Sequence, residues 1–205
     1  MAELSSWDNI REYGLLSTTA LLDKFEIVGN QRHSIESNRR PESVRIEHPE
    51  LGYAVIRDQK PLNEKKLSAS LTDMSPQEWY RLLNGMVFFW PSADRLQRLL
   101  SGRAYKKRAH CVIVVDSQKL IERYQDSIRL SKINSGAIPY GPTPRGSTTF
   151  STLFQYPHVS RRRDGSVRIQ LGEVAVKYGV SDILDFVLEV RRVVPGKPEE
   201  LIFKP

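Results

Sequence analysis

The chain has 205 residues, 40% of them apolar and 27% charged, with a formal charge of +7. That composition is neither disordered nor membrane-like, and the length fits one large domain or two small ones, since domains usually run to about 100–200 residues. No apolar run approaches the ~18 residues a bilayer span needs, and Glu3 and Asp8 do not suit a signal peptide, so a cytoplasmic protein is expected.

Elements follow in chain order. Ser5 and Ser6 precede a short helix from Trp7 to Tyr13 that ends at Gly14. Ser17-Thr18 start a second, from Thr19 to Phe25. Residues 29–50 are polar and rich in Arg, Ser, Glu and Pro, which predicts an irregular or mobile segment. Gly52 to Ile56 reads as a short strand that stops at Arg57. Ser75-Pro76-Gln77-Glu78 is a capping box with proline at the first helical position, and the helix it opens runs to about Leu83. Met86 to Trp90 is an apolar strand stopped by Pro91. Ser92 caps the next helix, which Gly102 closes.

Cys111 to Val115 reads as a central strand, and Asp116 caps a helix through about Tyr124. Cys111 is the only cysteine, so it forms no internal disulfide; in this run it is expected to be a core thiol. Residues 131–157 lack periodicity and are rich in Gly, Pro, Ser and Thr, the mark of a functional or disordered loop. Asp164-Gly165 signals a hairpin turn; Val167-Ile169-Leu171 alternates as a strand, and Glu173 to Val176 continues it. A last strand is expected near Phe186 to Val193, with a frayed tail after Pro195. Short strands and helices without a βαβ rhythm predict an α+β fold, as one domain over 1–195 with a tail over 196–205.

Phosphate loops, paired Cys/His metal signatures and Gly-x-Ser-x-Gly elbows are absent, and His33, His48, His110 and His158 are scattered. No metal is expected. Positive charge clusters at Arg39-Arg40, Arg103 to Arg108 and Arg161 to Arg163, interleaved with Tyr105 and Tyr156. Such clusters are either solvated loops or contacts to a polyanion. Arg39, Arg40, Arg145 and Arg161 are the candidate nucleic-acid contacts.

Four segments stand out for chemistry: Tyr13 to Ser17, Ile56-Arg57-Asp58, Val87 to Pro91, and Leu171 to Val176 with its lone Glu173. Each has a plainer reading. Glu173 can be an exposed strand-start residue, Arg57-Asp58 a local ion pair, and Phe88, Phe89 and Trp90 core.

In their order and spacing these segments, with Val112 to Tyr124 and Asn134-Ser135-Gly136-Ala137, resemble the DarT-type ADP-ribosyltransferases, which modify bases in single-stranded DNA. The resemblance spans about residues 3–190. It is closer to uncharacterised bacterial relatives of that family. It implies a split antiparallel β core with surrounding short helices. It implies NAD as substrate, a nucleic-acid acceptor (single-stranded DNA or RNA), a toxin- or defence-like role, and an inhibitory partner protein. It casts Glu173 and Arg57 as catalytic, with Ser17, Phe89, Trp90 and Asn134 about the NAD. The family's opening strand, of the form (Leu/Ile)-Tyr-His-(Met/Ile), would fall just before Ala2, and its histidine helps seat NAD.

The chemistry is coherent on its own terms. Cleaving the nicotinamide–ribose bond builds an oxocarbenium-like sugar, which a carboxylate stabilises. An arginine clamps a pyrophosphate, and aromatic faces stack a ring. Two rivals remain. An RNA 2′-phosphotransferase uses NAD through basic residues without the glutamate. A non-catalytic nucleic-acid-binding module would bind in a salt-dependent way and ignore NAD.

Overall fold

The computed structural model of the protein describes residues 1–138, 141–156, 160–161, 167–168 and 171–205. It is an α+β fold of small antiparallel sheets with short helices packed around them.

In chain order, β1 (Ala2–Glu3) leads through a single 3-10 turn into α1 (Trp7–Tyr13). Gly14 ends that helix at φ +86, where a Cβ would meet Ser181 Cα at 2.5 Å, so only glycine fits. After β2 (Leu15–Leu16), the Ser17 hydroxyl caps α2 (Thr18–Lys24) by accepting from Ala20 N at 3.1 Å. The polar stretch expected to be irregular instead forms α3 (Gly29–Glu36) and β3 (Val44–His48), which pairs with β4 (Gly52–Ile56) as a hairpin. Each of those two unpredicted elements buries one residue, Ile35 and Ile46 respectively.

Next come α4 (Glu64–Ser68) and α5 (Pro76–Asn84), the latter with the expected capping box on Ser75 and Glu78. They are followed by β5 (Met86–Phe89), α6 (Ala93–Leu100), β6 (His110–Val115) and α7 (Ser117–Tyr124), all near their predicted bounds. Asp116 caps α7 through Gln118 N and Lys119 N.

The later chain departs more. β7 (Ile128–Ser131) precedes the long loop, which itself contributes β8 (Ser151–Thr152). β9 (Ser160–Arg161) and β10 (Val167–Arg168) pair with each other; the expected turn at Asp164-Gly165 and the continuation through Ile169 lie outside the described residues. β11 (Glu173–Lys177), β12 (Gly179–Val180), β13 (Val187–Val193) and β14 (Glu200–Phe203) complete the chain. The segment expected to be a frayed tail is thus a sheet strand. β14 pairs with β13, and the Phe203 ring lies 5.3 Å from that of Trp7.

Two four-stranded antiparallel sheets organise the domain, one ordered β1-β6-β13-β14 and the other β5-β11-β7-β8. The main core lies on β6 and β13, α1, α7 and one face of the second sheet, around Ile10, Cys111, Ile128, Val176 and Val190. A second cluster, around Leu67, Trp79, Leu83 and Ala175, covers the other face. A third packs α2 and α3 on the β3–β4 hairpin. Val176 belongs to the first cluster and Ala175 to the second, as strand alternation requires. Cys111 is fully buried, and burial pushes its thiol up to about 11; it is a core residue.

Candidate functional site

A cavity of about 590 Å³ opens between the two main sheets. Its walls are the turn from Tyr13 to Ser17, Tyr53 and Arg57 around β4, Phe89 at the end of β5 and Trp90 after it, Val112 to Val115 of β6, and Val174 of β11. Two of the four singled-out segments, Tyr13 to Ser17 and Val87 to Pro91, therefore line it whole; the third reaches it through Ile56 and Arg57 without Asp58, and the fourth through Val174. Of the residues expected around NAD, Ser17, Phe89 and Trp90 line it, and so does Arg57, expected to be catalytic. Ser17 is 2% exposed and its hydroxyl is engaged as the α2 cap, so it shapes the wall and offers little to a ligand.

Arg57 is the unusual group. It sits where β4 ends, with its guanidinium carbon 5.1 Å from the Tyr105 ring centroid and Nε 3.6 Å from Glu3 Oε1. Both terminal nitrogens are sealed from solvent and have no hydrogen-bond partner. Burial lowers its pKa, against the favourable pull of Glu3, Tyr105 and Asp58. The plainer reading, a local pair with Asp58, does not hold in geometry. Asp58 turns its fully buried carboxylate to Arg108, Lys60 N and the Tyr105 hydroxyl. Arg108 also donates to Glu3 at 2.8 Å. The network thus satisfies Arg108 and leaves the buried ends of Arg57 without an acceptor. A buried donor without an acceptor costs about 1–3 kcal/mol, more for a charged group, and is uncommon unless something else supplies the acceptor.

Glu173 is 4% exposed, so it is not an exposed strand-start residue. It is not among the residues lining this cavity. Strand alternation gives the reason: Val174 faces the cavity, so Glu173 and Ala175 take the opposite face of β11. There the carboxylate accepts from Ser135 N at 2.9 Å and anchors the start of the long loop. Gly172 permits this approach, because a Cβ there would lie 2.6 Å from Ile133 O. Burial raises the Glu173 pKa, against the Ser135 donors, Arg145 and Arg95. Arg57 and Glu173 therefore do not share this wall. They are connected at its edge. Val174 and Phe89 form the last pair of the β5–β11 register, and Glu173 and Trp90 are their chain neighbours.

Trp90 also lines a second cavity of about 420 Å³, with Arg95, Arg98, Arg103, Tyr105 and Asn134. Asn134 thus belongs to this neighbour and not to the larger cavity.

Two of the expected nucleic-acid contacts need correction. Arg40 is 6% exposed and donates to Ile35 O at 2.5 Å, Asn84 Oδ1 at 2.9 Å and Arg57 O at 3.1 Å. Arg145 is 3% exposed and donates to Ser135 O at 3.0 Å and Thr143 O at 3.2 Å. Both pin loops from inside. Arg39 is half-buried and donates to Lys60 O at 3.2 Å. The side chain of Arg161 lies outside the described residues. Arg95 and Arg98 were missed; their i, i+3 spacing on α6 is the signal that could have found them.

Among the described residues no helix is long and apolar enough to cross a membrane, and no group of three or more His, Cys, Asp or Glu is placed to hold a metal ion. Neither a curated protein nor a solved structure matches the chain. A family-level sequence pattern does, over residues 1–187, and the chain belongs to that family, the family of unknown function DUF7002.

Proposed function

We propose that the protein is an NAD-dependent ADP-ribosyltransferase acting on nucleic acid. The observation that carries this reading is Arg57, whose buried terminal nitrogens lack an acceptor in the wall of a cavity that also presents Phe89 and Trp90. A pyrophosphate supplies the missing acceptors once the Arg57 side chain turns its sealed ends into the cavity, and a planar ring stacks on the aromatic side chains. The order of motifs along the chain supports the same choice.

In this reading the pyrophosphate lies on Arg57 and the nicotinamide ribose reaches across Trp90 toward Glu173. The C1′–N bond breaks, nicotinamide departs with the bonding electrons, and a base nitrogen or oxygen of the acceptor bonds to C1′ and sheds its proton. Glu173 stabilises the developing cation once the loop from Asn134 releases its carboxylate.

One observation favours the neighbouring chemistry, an RNA 2′-phosphotransferase. Glu173 is turned away from the cavity, and that reaction does not need it. Transfer of label from NAD to single-stranded DNA and RNA separates the two. A loss of about 10²–10³ in rate on Glu173→Gln supports base modification. Loss of the RNA 2′-phosphate by transfer to the ADP-ribose part of NAD, with no label left on the strand, supports the alternative if it survives the substitution. Calorimetry with NAD comes first: a wild-type protein that gives no heat of binding, or an Arg57→Met variant that binds as well, removes both.

A further inference from the structure

The smaller cavity is not absorbed by the reading above. Its rim carries Arg95, Arg98 and Arg103, and its walls include Trp90 and Tyr105. Helical spacing stacks Arg95 and Arg98 on one side of α6, and Arg103 follows the turn that ends the helix. None of the three guanidinium groups forms a close ion pair among the described residues, although Arg95 feels the Glu173 carboxylate at longer range, whereas Arg191 and Arg192 on β13 are paired with Glu199 and Glu200. Arg98 and Arg103 are exposed and Arg95 half-buried, so the charge faces the opening. Asp94 is the one acid on α6, and exposed Lys106 and Lys107 add to the positive field.

Arginines without a close ion pair, spaced along a rim, suit successive phosphates, and an aromatic wall beneath them suits an unstacked base. A duplex hides the faces of its bases, so the combination selects a single strand. The site also meets the larger cavity at Trp90. We infer that this smaller cavity holds the acceptor strand: phosphodiester groups of single-stranded nucleic acid on Arg95, Arg98 and Arg103, with one base against Trp90. As the acceptor site it rests on the transferase reading; as a strand-binding site it stands without NAD.

The test is binding of a labelled single-stranded oligonucleotide, as DNA and as RNA, by the full chain without NAD across a salt series. Trp7 is 7% exposed and Trp79 fully buried, so quenching of tryptophan fluorescence reports on half-buried Trp90. Wild type should bind with a steep salt dependence and quench. Arg98→Gln with Arg103→Gln should weaken binding at least about tenfold and flatten the log–log salt slope by about 1.4, or about 0.7 per lost phosphate contact. The same protein should keep its melting temperature and its heat of binding to NAD. Arg191→Gln with Arg192→Gln serves as the control of equal charge. If it weakens binding as much, the attraction is diffuse and the site is overturned. No binding by wild type, an unchanged slope in the rim variant, or equal quenching by a duplex overturns it too. Preference between the DNA and RNA strands then identifies the source of the phosphodiester. Loss of NAD binding with strand binding intact would break the transferase reading alone.

Discussion

Arg40 and Arg57 lie on neighbouring segments, both largely buried, and Arg40 donates to the backbone carbonyl of Arg57. Yet they serve opposite ends. Around Arg40 nearly every donor has an acceptor: Ile35 O, Arg57 O, Asn84 Oδ1 and Thr18 Oγ1 gather three helices and the β4 end onto one guanidinium. Burial pushes its pKa down to about 10, still far above neutrality, so it stays charged and holds. Around Arg57 the nearest carboxylate is shared with Arg108, and the buried terminal nitrogens have no hydrogen-bond acceptor. A satisfied buried charge is a structural pin; an unsatisfied one in a cavity wall is a cost that a bound anion can offset.

Arg40→Met should give the largest effect. It strands at least three buried acceptors at about 1–3 kcal/mol each, for a loss of about 3–5 kcal/mol. At about 2–4 °C per kcal/mol for a chain of this size, the melting temperature should drop by roughly 10 °C. A variant that melts within a degree of wild type would erase the contrast between the two arginines.

Asp58 should come next, because it shapes the Arg57 side. Burial works to raise its pKa, but Lys60 N–H, Arg108 and Arg57 outweigh it and the net shift is down. A depressed carboxylate gives stability that is present above its ordinary pKa of 3.8 and lost as pH falls through the folded value. Asp58→Asn should therefore cost about 2–3 kcal/mol at neutral pH and flatten the acid limb of the stability profile. An acid limb of unchanged steepness would mean that other carboxylates carry it.

Arg57→Met should barely move the melting temperature, or raise it, since an unpaired buried charge is replaced by an apolar stem of similar length. Its effect should be on ligand: affinity for NAD should fall by about 10–100-fold, as loss of a charged hydrogen bond implies. A large loss of stability would instead place Arg57 beside Arg40 as a pin.

Much of the fold was legible where capping chemistry is local. Ser75-Pro76-Gln77-Glu78, Ser92 and Asp116 marked helix starts because each cap is satisfied within three residues. The apolar strands at Met86 and Cys111 were clear because both faces are covered. What stayed hidden depended on distant partners. α3, β3 and β14 bury one residue or none, and pairing to β4 or β13 holds the strands, so composition read them as loop and tail. The burial of Arg40 and Arg145 was equally hidden, because their acceptors are mostly carbonyls brought near by folding. For the site, the ordered motifs did gather Ser17, Arg57, Phe89 and Trp90 around one cavity. The side of β11 that Glu173 takes was ambiguous, because Gly172 left the register ahead of it open.

Glu173→Gln should have the smallest effect on stability, and its sign depends on pH. The wild-type carboxyl is buried against Ser135, and its pKa lies above the ordinary 4.5 because desolvation exceeds the help from Ser135, Arg145 and Arg95. A raised carboxyl stabilises the fold fully below the unfolded pKa, and that contribution is lost as pH rises through the folded value. Glutamine does not titrate and can still accept the Ser135 N–H. Melting curves of the two proteins should therefore coincide, or favour wild type, near pH 4. They should then separate in the mutant's favour as pH rises through the folded pKa of Glu173, and stay apart beyond it. A mutant that is less stable at every pH by one margin would mean that the Ser135 contact needs the charge and that the carboxylate anchors the loop from Asn134. Turnover decides between anchor and catalyst independently. A stable mutant with activity down about 10²–10³ places the carboxylate's charge at the sugar in the transition state. A stable mutant with full turnover leaves Glu173 as the peg that holds Ser135 beside the Trp90 wall.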